Sequence, residues 1–486
     1  MKLTIESPSN LDSHKTDLLV TCVFSPLSIP SEWMKLDIKS SAESEGFSAK
    51  MGQVFSTQTF LKKGPKSIAL LGLGEKEKSS TDTLRKAGGL TFRLAGEKRC
   101  KNLSILFNDD KEALQAYLEG FYMAQYRFDK YLTENKTEKY LESITFLSKL
   151  SKDDLKKQSA SALAIAESVC YARDLINEGP LVMNPEEMAK RAKREAKELG
   201  LSIDILDENK LEKEKMGLIL GVARGALKSA PPRLIRLAYR PEKKHKKHVV
   251  LVGKGVTFDS GGLDLKPSAG MLDMKIDMSG AACVFGTMMA IAKFKPSVAV
   301  TGYMVCVENA IGSNAFHPGD ILLSRKGLSV EINNTDAEGR LILADALDYA
   351  QEREKPDLLI DLATLTGACM VALGPTTAGL FSKNEGLTQD LLKAGKKVGE
   401  DYWHMPLNDD LADQLKSPIA DLKNSGERYG GSITAALFLQ RFVKEKTAWA
   451  HLDIAGPASN EKDHPYIPKG GAGFGVRTLV ELITHL

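Results

Sequence analysis

The run Ser329-Val330-Glu331-Ile332-Asn333-Asn334-Thr335-Asp336-Ala337-Glu338-Gly339-Arg340-Leu341-Ile342-Leu343-Ala344-Asp345-Ala346-Leu347 carries two patterns back to back. Ser329 to Ile332 alternates polar and apolar residues, the period of a half-buried strand. From Leu341 onward the residues are good helix formers. Asp336, Glu338 and Arg340 are thereby crowded into the loop that joins strand to helix. Loops at the carboxyl ends of strands are where open α/β sheets bind ligands. Taken alone, the same residues also suit an Asx-turn, an acid in a first helical turn and a solvated arginine.

A second stretch lies upstream, HVVLVGKGVTFDSGGLDLKPSAGMLDMKIDMSGAA, residues 248–282. Val249 to Val252 is a continuous apolar run, as expected of a strand buried on both faces. Lys254, Asp259, Lys266 and Asp277 follow, punctuated by glycines that let a backbone turn tightly and approach a ligand. The two stretches together offer four carboxylates (Asp259, Asp277, Asp336, Glu338), two lysines and an arginine. Two divalent cations would neutralise four carboxylates. Packed together without metal, the same acids would push some of their pKa values up by mutual repulsion.

The remaining sequence sets the frame. At 486 residues the chain exceeds what one core usually holds, so two domains are expected. A composition of 43% hydrophobic and 27% charged residues is that of a globular protein in water. A net charge of +3 gives no global field for nucleic acid. Six scattered cysteines form no CxxC pair, and Cys283 and Cys306 read as buried thiols. The start lacks the apolar core of a signal peptide, and no run approaches ~18 apolar residues. A cytoplasmic protein without a membrane partner is the expectation.

The fold class read from these patterns is α/β, two domains, each a mostly parallel sheet flanked by helices. The boundary is placed to give an N-terminal α/β domain over 1–155 and a larger catalytic domain over 156–486. In the first, strands over 17–24 (closed by Pro26 and Pro30), 67–74 and 102–107 surround a helix over 81–97, a right-handed βαβ unit. A helix over 111–131, a polar linker over 133–139 and a short strand over 144–147 complete it, and a helix over 160–176 is the entry to the second domain. The Gly72-Leu73-Gly74 turn lacks the third glycine of a dinucleotide fingerprint. In the second, the helix over 185–199 reads as a solvated face with i,i+4 pairs, and the basic run 243–248 as a charged surface turn. Strands over 249–252, 298–307, around Glu331, 357–362 and 377–381 then alternate with helices over 280–293 and from 341. Lys254, Asp336, Glu338 and Thr364 all fall just past predicted strand ends. The Asp259-Ser260-Gly261-Gly262 run echoes a serine protease without the rest of a triad. Asp264 and Asp273 read as solvated loop acids, and Asp361 as a buried acid that is satisfied or supports the site.

The spacing K-x4-D-x6-K-x10-D of Lys254, Asp259, Lys266 and Asp277, followed by Asn334–Arg340, resembles the leucyl aminopeptidase family of dinuclear metallo-aminopeptidases. Residues 361–368 and 451–456 fit the same pattern. The resemblance covers roughly residues 165–486, and the first 150 carry no recognisable motif of the family. It implies a metal-dependent aminopeptidase acting on peptides with a free N-terminus, preferring leucine or other apolar residues. It implies two divalent ions per subunit, Mn²⁺ or Zn²⁺ with Mg²⁺ possible, and a metal-bridging hydroxide as nucleophile. By the same comparison Asp259 and Glu338 bridge, Lys254 and Asp277 complete the tighter site, and Asp336 completes the more exchangeable one. Lys266 would stabilise the oxyanion and Arg340 hold a bicarbonate. Met274, Thr364, Gly367, Ala368, Ala455 and Ala458 fall at pocket positions, with Ala458 where some members carry methionine, so that the pocket widens. Ser279 replaces a common glycine. A homohexamer is also implied. The alternative is a DNA-binding or regulatory protein on the same scaffold, for which the 185–199 helix and the 243–248 run are the basic segments.

Overall fold

A computed structural model describes residues 2–8, 14–27, 37–108, 110–134, 140–242, 247–462 and 464–486. Pro30, most of the expected linker and residues 243–246 of the basic run lie outside the described residues. The chain forms two compact units, Met1–Glu167 with Lys462–Pro468, and Ser168–Glu461 with Lys469–Leu486. The 155/156 boundary read from sequence falls inside one helix, Lys152–Asn177.

The first unit is built on a six-stranded sheet in the order Lys2–Glu6, Ser143–Leu147, Asn102–Leu106, Leu18–Ser25, Ser67–Glu75, Val54–Gln58. Every pairing is parallel except the last. Lys2–Glu6 and Val54–Gln58 are edge strands with little burial, and their mixed sequences carry no apolar run to read. The helix Thr81–Glu97 has the predicted ends because a capping box fixes its start, Ser80 accepting from the Thr83 N–H and Thr83 answering. The next helix stops at Met123, short of the expected Tyr131. Past Met123 the aromatic residues Tyr126 and Phe128 alternate with polar ones at period two, which no helix face accommodates. Leu18, Val20, Leu103, Ile105, Ile144 and Phe146 from the sheet meet Tyr117 and Phe121 from that helix in one core. The seven-residue excursion Lys462–Pro468 also belongs here. Tyr466 is buried with its hydroxyl bonded to Asp82, and a Cβ on Gly89 would strike the Pro465 carbonyl.

The second unit holds an eight-stranded sheet in the order Asp401–Met405, Thr377–Phe381, Ala448–Asp453, Leu358–Ala363, His248–Asp259, Ala299–Asn309, Arg233–Tyr239, Ser202–Leu206. From Ala448–Asp453 to Ala299–Asn309 the pairings are parallel, and antiparallel strands flank that centre on both sides. The flanking strands at 202–206, 233–239 and 401–405, and the central strand at 448–453, were not among those read from sequence.

His248–Asp259 is twelve residues long, not the four of its apolar run. The glycines that interrupt that run mark close packing, not a loop. A Cβ on Gly253 would collide with the backbone of Gly280 and Ala281, so helix Ser279–Phe294 lies against that face of the sheet. Lys254, the next residue, points to the opposite face. There it meets helix Glu338–Glu354, where a Cβ on Gly339 would lie 2.5 Å from Lys254 Cε. Ser279–Phe294 is apolar on every side because it is enclosed. The wider Ser268–Phe294 stretch is long and apolar enough to cross a membrane, yet 83% of its most apolar window is buried inside the protein.

The strand at Glu331 is a correction. Ser329–Glu331 does not join the large sheet but pairs with Ile321–Leu323 and Leu422–Lys423 in a separate three-stranded one. Three residues of strand are too few to bridge the wide sheet, and the apolar Val330 and Ile332 are buried against helix Glu338–Glu354 instead.

Candidate metal centre

Lys254 stands mid-strand, one residue past the Gly253 that pairs with Leu362, and so level with the end of Leu358–Ala363. This differs from the expected loop position, although it places the side chain beside Thr364, where the neighbouring strand has ended. Asp259 is the last residue of its strand, Asp277 lies in the short 3₁₀ helix Met274–Met278, and Glu338 opens helix Glu338–Glu354. The heptapeptide therefore delivers its two acids from a loop and a helix start, Lys254 and Asp259 come from the central strand, and Asp277 comes from the turn beneath helix Ser279–Phe294.

These five residues converge. The Lys254 ammonium lies 2.8 Å from Asp277 Oδ1 and 2.9 Å from Glu338 Oε1, and donates to the Thr364 carbonyl at 2.9 Å. Oxygens of Asp259, Asp336 and Glu338 lie within 4.8 Å of one another. Lys266 caps the group, with its ammonium 2.9 Å from Asp259 Oδ2 and in contact with Asp336. Gly261, at φ 86, turns the chain after Asp259 so tightly that a Cβ there would sit 3.0 Å from Asp336 Oδ1. Arg340 is buried within the first turn of the helix and donates from Nη1 to the Asn424 carbonyl at 3.0 Å.

The donor set fits divalent cations. Asp277 Oδ2 and Glu338 Oε2 are buried without a hydrogen-bond partner, and such orphaned acceptors are costly unless a cation or ordered water meets them. Carboxylate oxygens suit Mg²⁺ and Mn²⁺, and Zn²⁺ accepts them. Absent a cation, burial, reinforced by the charge of Asp259, pushes the Glu338 carboxyl up to about 8. Asp277 rises to about 6 from burial, against the pull of Lys254. Burial works against the Lys254 ammonium, yet Asp277, Glu338 and Asp259 outweigh it and hold the group above the usual lysine range. Arg340 is drawn down to about 10 by burial and remains a cation at neutral pH.

Around this centre lie residues that sequence reasoning passed over. Asn309 donates to Asp259 Oδ1 at 2.8 Å and to the Thr335 carbonyl at 3.1 Å. Asp264 is exposed as expected of a loop acid, but its carboxylate accepts from the Thr335 N–H at 2.7 Å and ties the two loops together. Asp453 accepts from the N–H groups of Leu365 at 3.1 Å and Ala455 at 3.2 Å, and from the Thr366 hydroxyl at 2.7 Å. It thereby joins the loops that carry Thr364, Gly367 and Ala455. Thr364 itself donates to Asp277 Oδ1 at 2.7 Å, so it orients that carboxylate. Among the other pocket candidates, Met274 and Ala368 are half-buried, Gly367 is exposed, and Ala458 is buried at 1% exposure. Asp361 accepts from Trp449 Nε1 at 2.7 Å and shares a 2.6 Å bond with His451 Nδ1, a satisfied buried acid. In helix Pro185–Leu199, Arg191 is held by Glu187 and Glu178, and Arg194 by Glu195. No disulfide joins any of the six cysteines, all of which lie among the described residues.

A carboxylate cage closed by two lysines in the crevice of an α/β sheet is the site of a metal-dependent hydrolase, and comparison with known proteins specifies which. Residues 170–480 match the family model described as "Cytosol aminopeptidase family, catalytic domain", and residues 31–135 match "Cytosol aminopeptidase family, N-terminal domain". The second match extends the likeness into the stretch where sequence reading found no motif. A probable cytosol aminopeptidase of Aquifex aeolicus is 41% identical over 463 residues, 94% of this chain and 92% of the relative. Another, of Geotalea uraniireducens, is 44% identical over 451 residues, 91% and 90% of the two chains. Among solved structures, a mutant of tomato leucine aminopeptidase superposes with a TM-score of 0.90 at 32% identity, covering 100% of this chain and 97% of its own. The bottromycin maturation enzyme BotP in complex with Mn gives 0.87 at 33%, covering 97% and 99%. The chain belongs to the cytosol aminopeptidase family, and it is a metallo-aminopeptidase.

Proposed function

We propose that the protein releases N-terminal residues, leucine and other apolar ones foremost, from peptides with a free α-amino group, using two divalent cations per subunit. The observation that supports this is the convergence of Lys254, Asp259, Asp277, Asp336 and Glu338, with carboxylate oxygens buried and unpartnered. Asp259 and Glu338, central to the cluster, would be shared between the ions. Lys254 and Asp277 would serve one ion and Asp336 the other. Bound cations of this kind polarise a carbonyl and activate water near neutral pH, and a hydroxide generated in this way would be the nucleophile.

The protein's own groups set the conditions. To act as a ligand, Lys254 must give up a proton, which a dication displaces as it does from other ligands. Lys266, the more exposed of the two lysines, carries its charge at the mouth of the cluster and is suited to stabilise an oxyanion. Arg340 cannot serve as a base, and its buried Nε has no hydrogen-bond partner. It is suited to anchor an anion, and bicarbonate is the one proposed. The half-buried Met274 and Ala455, with Gly367, would receive the departing side chain.

Leucine-p-nitroanilide hydrolysis by metal-stripped protein, titrated with Mn²⁺, Zn²⁺ and Mg²⁺, tests the reading. Activity should return with metal and be absent from the Asp336→Ala, Glu338→Ala double variant. No activity with any of the metals in folded protein would sink it, and salt-dependent DNA binding would become the next assay.

A further inference from the structure

The loop 334–340 carries two of the acids and the arginine, and within it the Asp336 N–H donates to Asn334 Oδ1 at 2.8 Å, but the helix start that follows is left open. Helix Glu338–Glu354 starts after Ala337, and no side chain caps it. Alanine is a poor N-cap. One flank of the loop is held through Thr335, whose hydroxyl donates to the Gly261 carbonyl at 2.7 Å. The other flank depends on Asn424.

Asn424 follows the short strand Leu422–Lys423, which pairs in parallel with Ser329–Glu331. Its N–H donates to the Glu331 carbonyl at 2.9 Å and extends the ladder by one bond. Where the ladder ends, the side chain continues it. Oδ1 accepts from the N–H groups of Asn333 at 2.9 Å and Asn334 at 3.4 Å. Nδ2 donates to the carbonyls of Asn334 at 2.7 Å and Ala337 at 3.4 Å. The Asn424 carbonyl then accepts from Arg340 Nη1 at 3.0 Å. The residue is 0% exposed, and it grips the chain on both sides of Asp336 and Glu338. Only a carboxamide combines an acceptor with two donors in so short a side chain.

We propose that Asn424 is a positioning residue of the metal centre, its carboxamide setting the 333–340 segment so that Asp336, Glu338 and Arg340 converge on their ligands. The inference rests on the proposed metal-dependent reading. Groups that orient metal ligands typically contribute 10–100-fold in metal affinity or activity.

The test uses full-length, metal-stripped protein with Asn424→Ala, read by calorimetric Mn²⁺ binding and by leucine-p-nitroanilide kinetics. Mn²⁺ affinity should weaken by roughly 10–100-fold and kcat should fall by a similar factor. The thermal midpoint should fall, because the backbone partners of the buried carboxamide lose their bonds, while KM should stay near that of the unsubstituted protein, so Mn²⁺ affinity is the readout that separates the two roles. A residue with a merely structural role would lower the midpoint and leave Mn²⁺ affinity alone. Should Asn424→Ala not fold, Asn424→Asp keeps the volume and the acceptor while removing both donors. Unchanged Mn²⁺ affinity in folded variant, or loss of fold in both variants, overturns the proposal. Unsubstituted protein that binds Mn²⁺ but hydrolyses nothing would instead overturn the aminopeptidase reading, leaving the calorimetric comparison to decide Asn424.

Discussion

Lys266 and Gly339 show how single residues hold a charged cluster together. Lys266 sets one ammonium against both Asp259 and Asp336, where it offsets their repulsion and leaves a positive charge at the entrance. Lys266→Ala should lower kcat by roughly 10²–10³-fold, the scale seen when an oxyanion donor is removed. Steady-state kinetics at saturating Mn²⁺ would check this, and Mn²⁺ binding should not weaken, because the lysine competes for the same carboxylates. Gly339 is small for a reason of packing. Its missing Cβ makes room for the Lys254 side chain, and Gly339→Ala would place a methyl 2.5 Å from Cε. Overpacking of this kind costs about 1–3 kcal/mol, measurable by denaturant unfolding. Displacement of Lys254 should also reduce activity well beyond what the stability loss explains.

At the scale of elements, loops tied by buried polar side chains shape the site. Asp453 receives four loop donors, the N–H groups of Leu365, Thr366 and Ala455 and the Thr366 hydroxyl, so Asp453→Ala leaves several N–H groups without their partner. A loss of about 1–3 kcal/mol is expected. KM for leucine-p-nitroanilide should rise several-fold while Mn²⁺ affinity holds, since Asp453 orders the proposed side-chain pocket and not the acids. Such ties explain what could be read in advance and what could not. The central strands at 248–259, 299–309 and 358–363 announced themselves by apolar runs, although 448–453 did not, and the acids of the candidate metal centre stood out by charge crowded among glycines. Asn309 and Asn424 gave no such signal. A neutral asparagine at a strand end looks the same whether it is solvated or buried against polar partners, and only tertiary contact separates the two. The edge strands escaped for a related reason. Asp401–Met405 and Ser202–Leu206 lie at the edges, half exposed, with polar residues where a central strand would have valine. The length of His248–Asp259 was obscured by glycines that serve helix packing, a cause invisible without the helix.

For the whole molecule, the buried acids make stability depend jointly on pH and metal. Glu338 is pushed up to about 8 and Asp277 to about 6, while both return to the ordinary carboxylate range on unfolding. Between roughly pH 4.5 and 8 the folded, metal-free protein thus binds more protons than the unfolded chain, and its stability falls as pH rises. Thermal midpoints of stripped protein should therefore decline across that window. Added Mn²⁺ should restore them most at the alkaline end, where the acids are free to bind it. One site at a hundredfold excess over its Kd contributes about 2.7 kcal/mol. A midpoint that does not respond to Mn²⁺ at pH 8 would contradict this account.

The excursion Lys462–Pro468 has a bearing on how the protein can be taken apart. The polypeptide passes from one unit to the other at 167/168, returns at 461/462 and leaves again at 468/469. No single scission yields two intact halves. A fragment ending at Glu167 lacks the strip that covers Gly89 and bonds Asp82, and the complementary fragment carries that strip with nothing to lay it on. Dissecting the molecule into autonomous pieces calls for rejoining the ends elsewhere, with residues 462–468 grafted back onto the smaller piece.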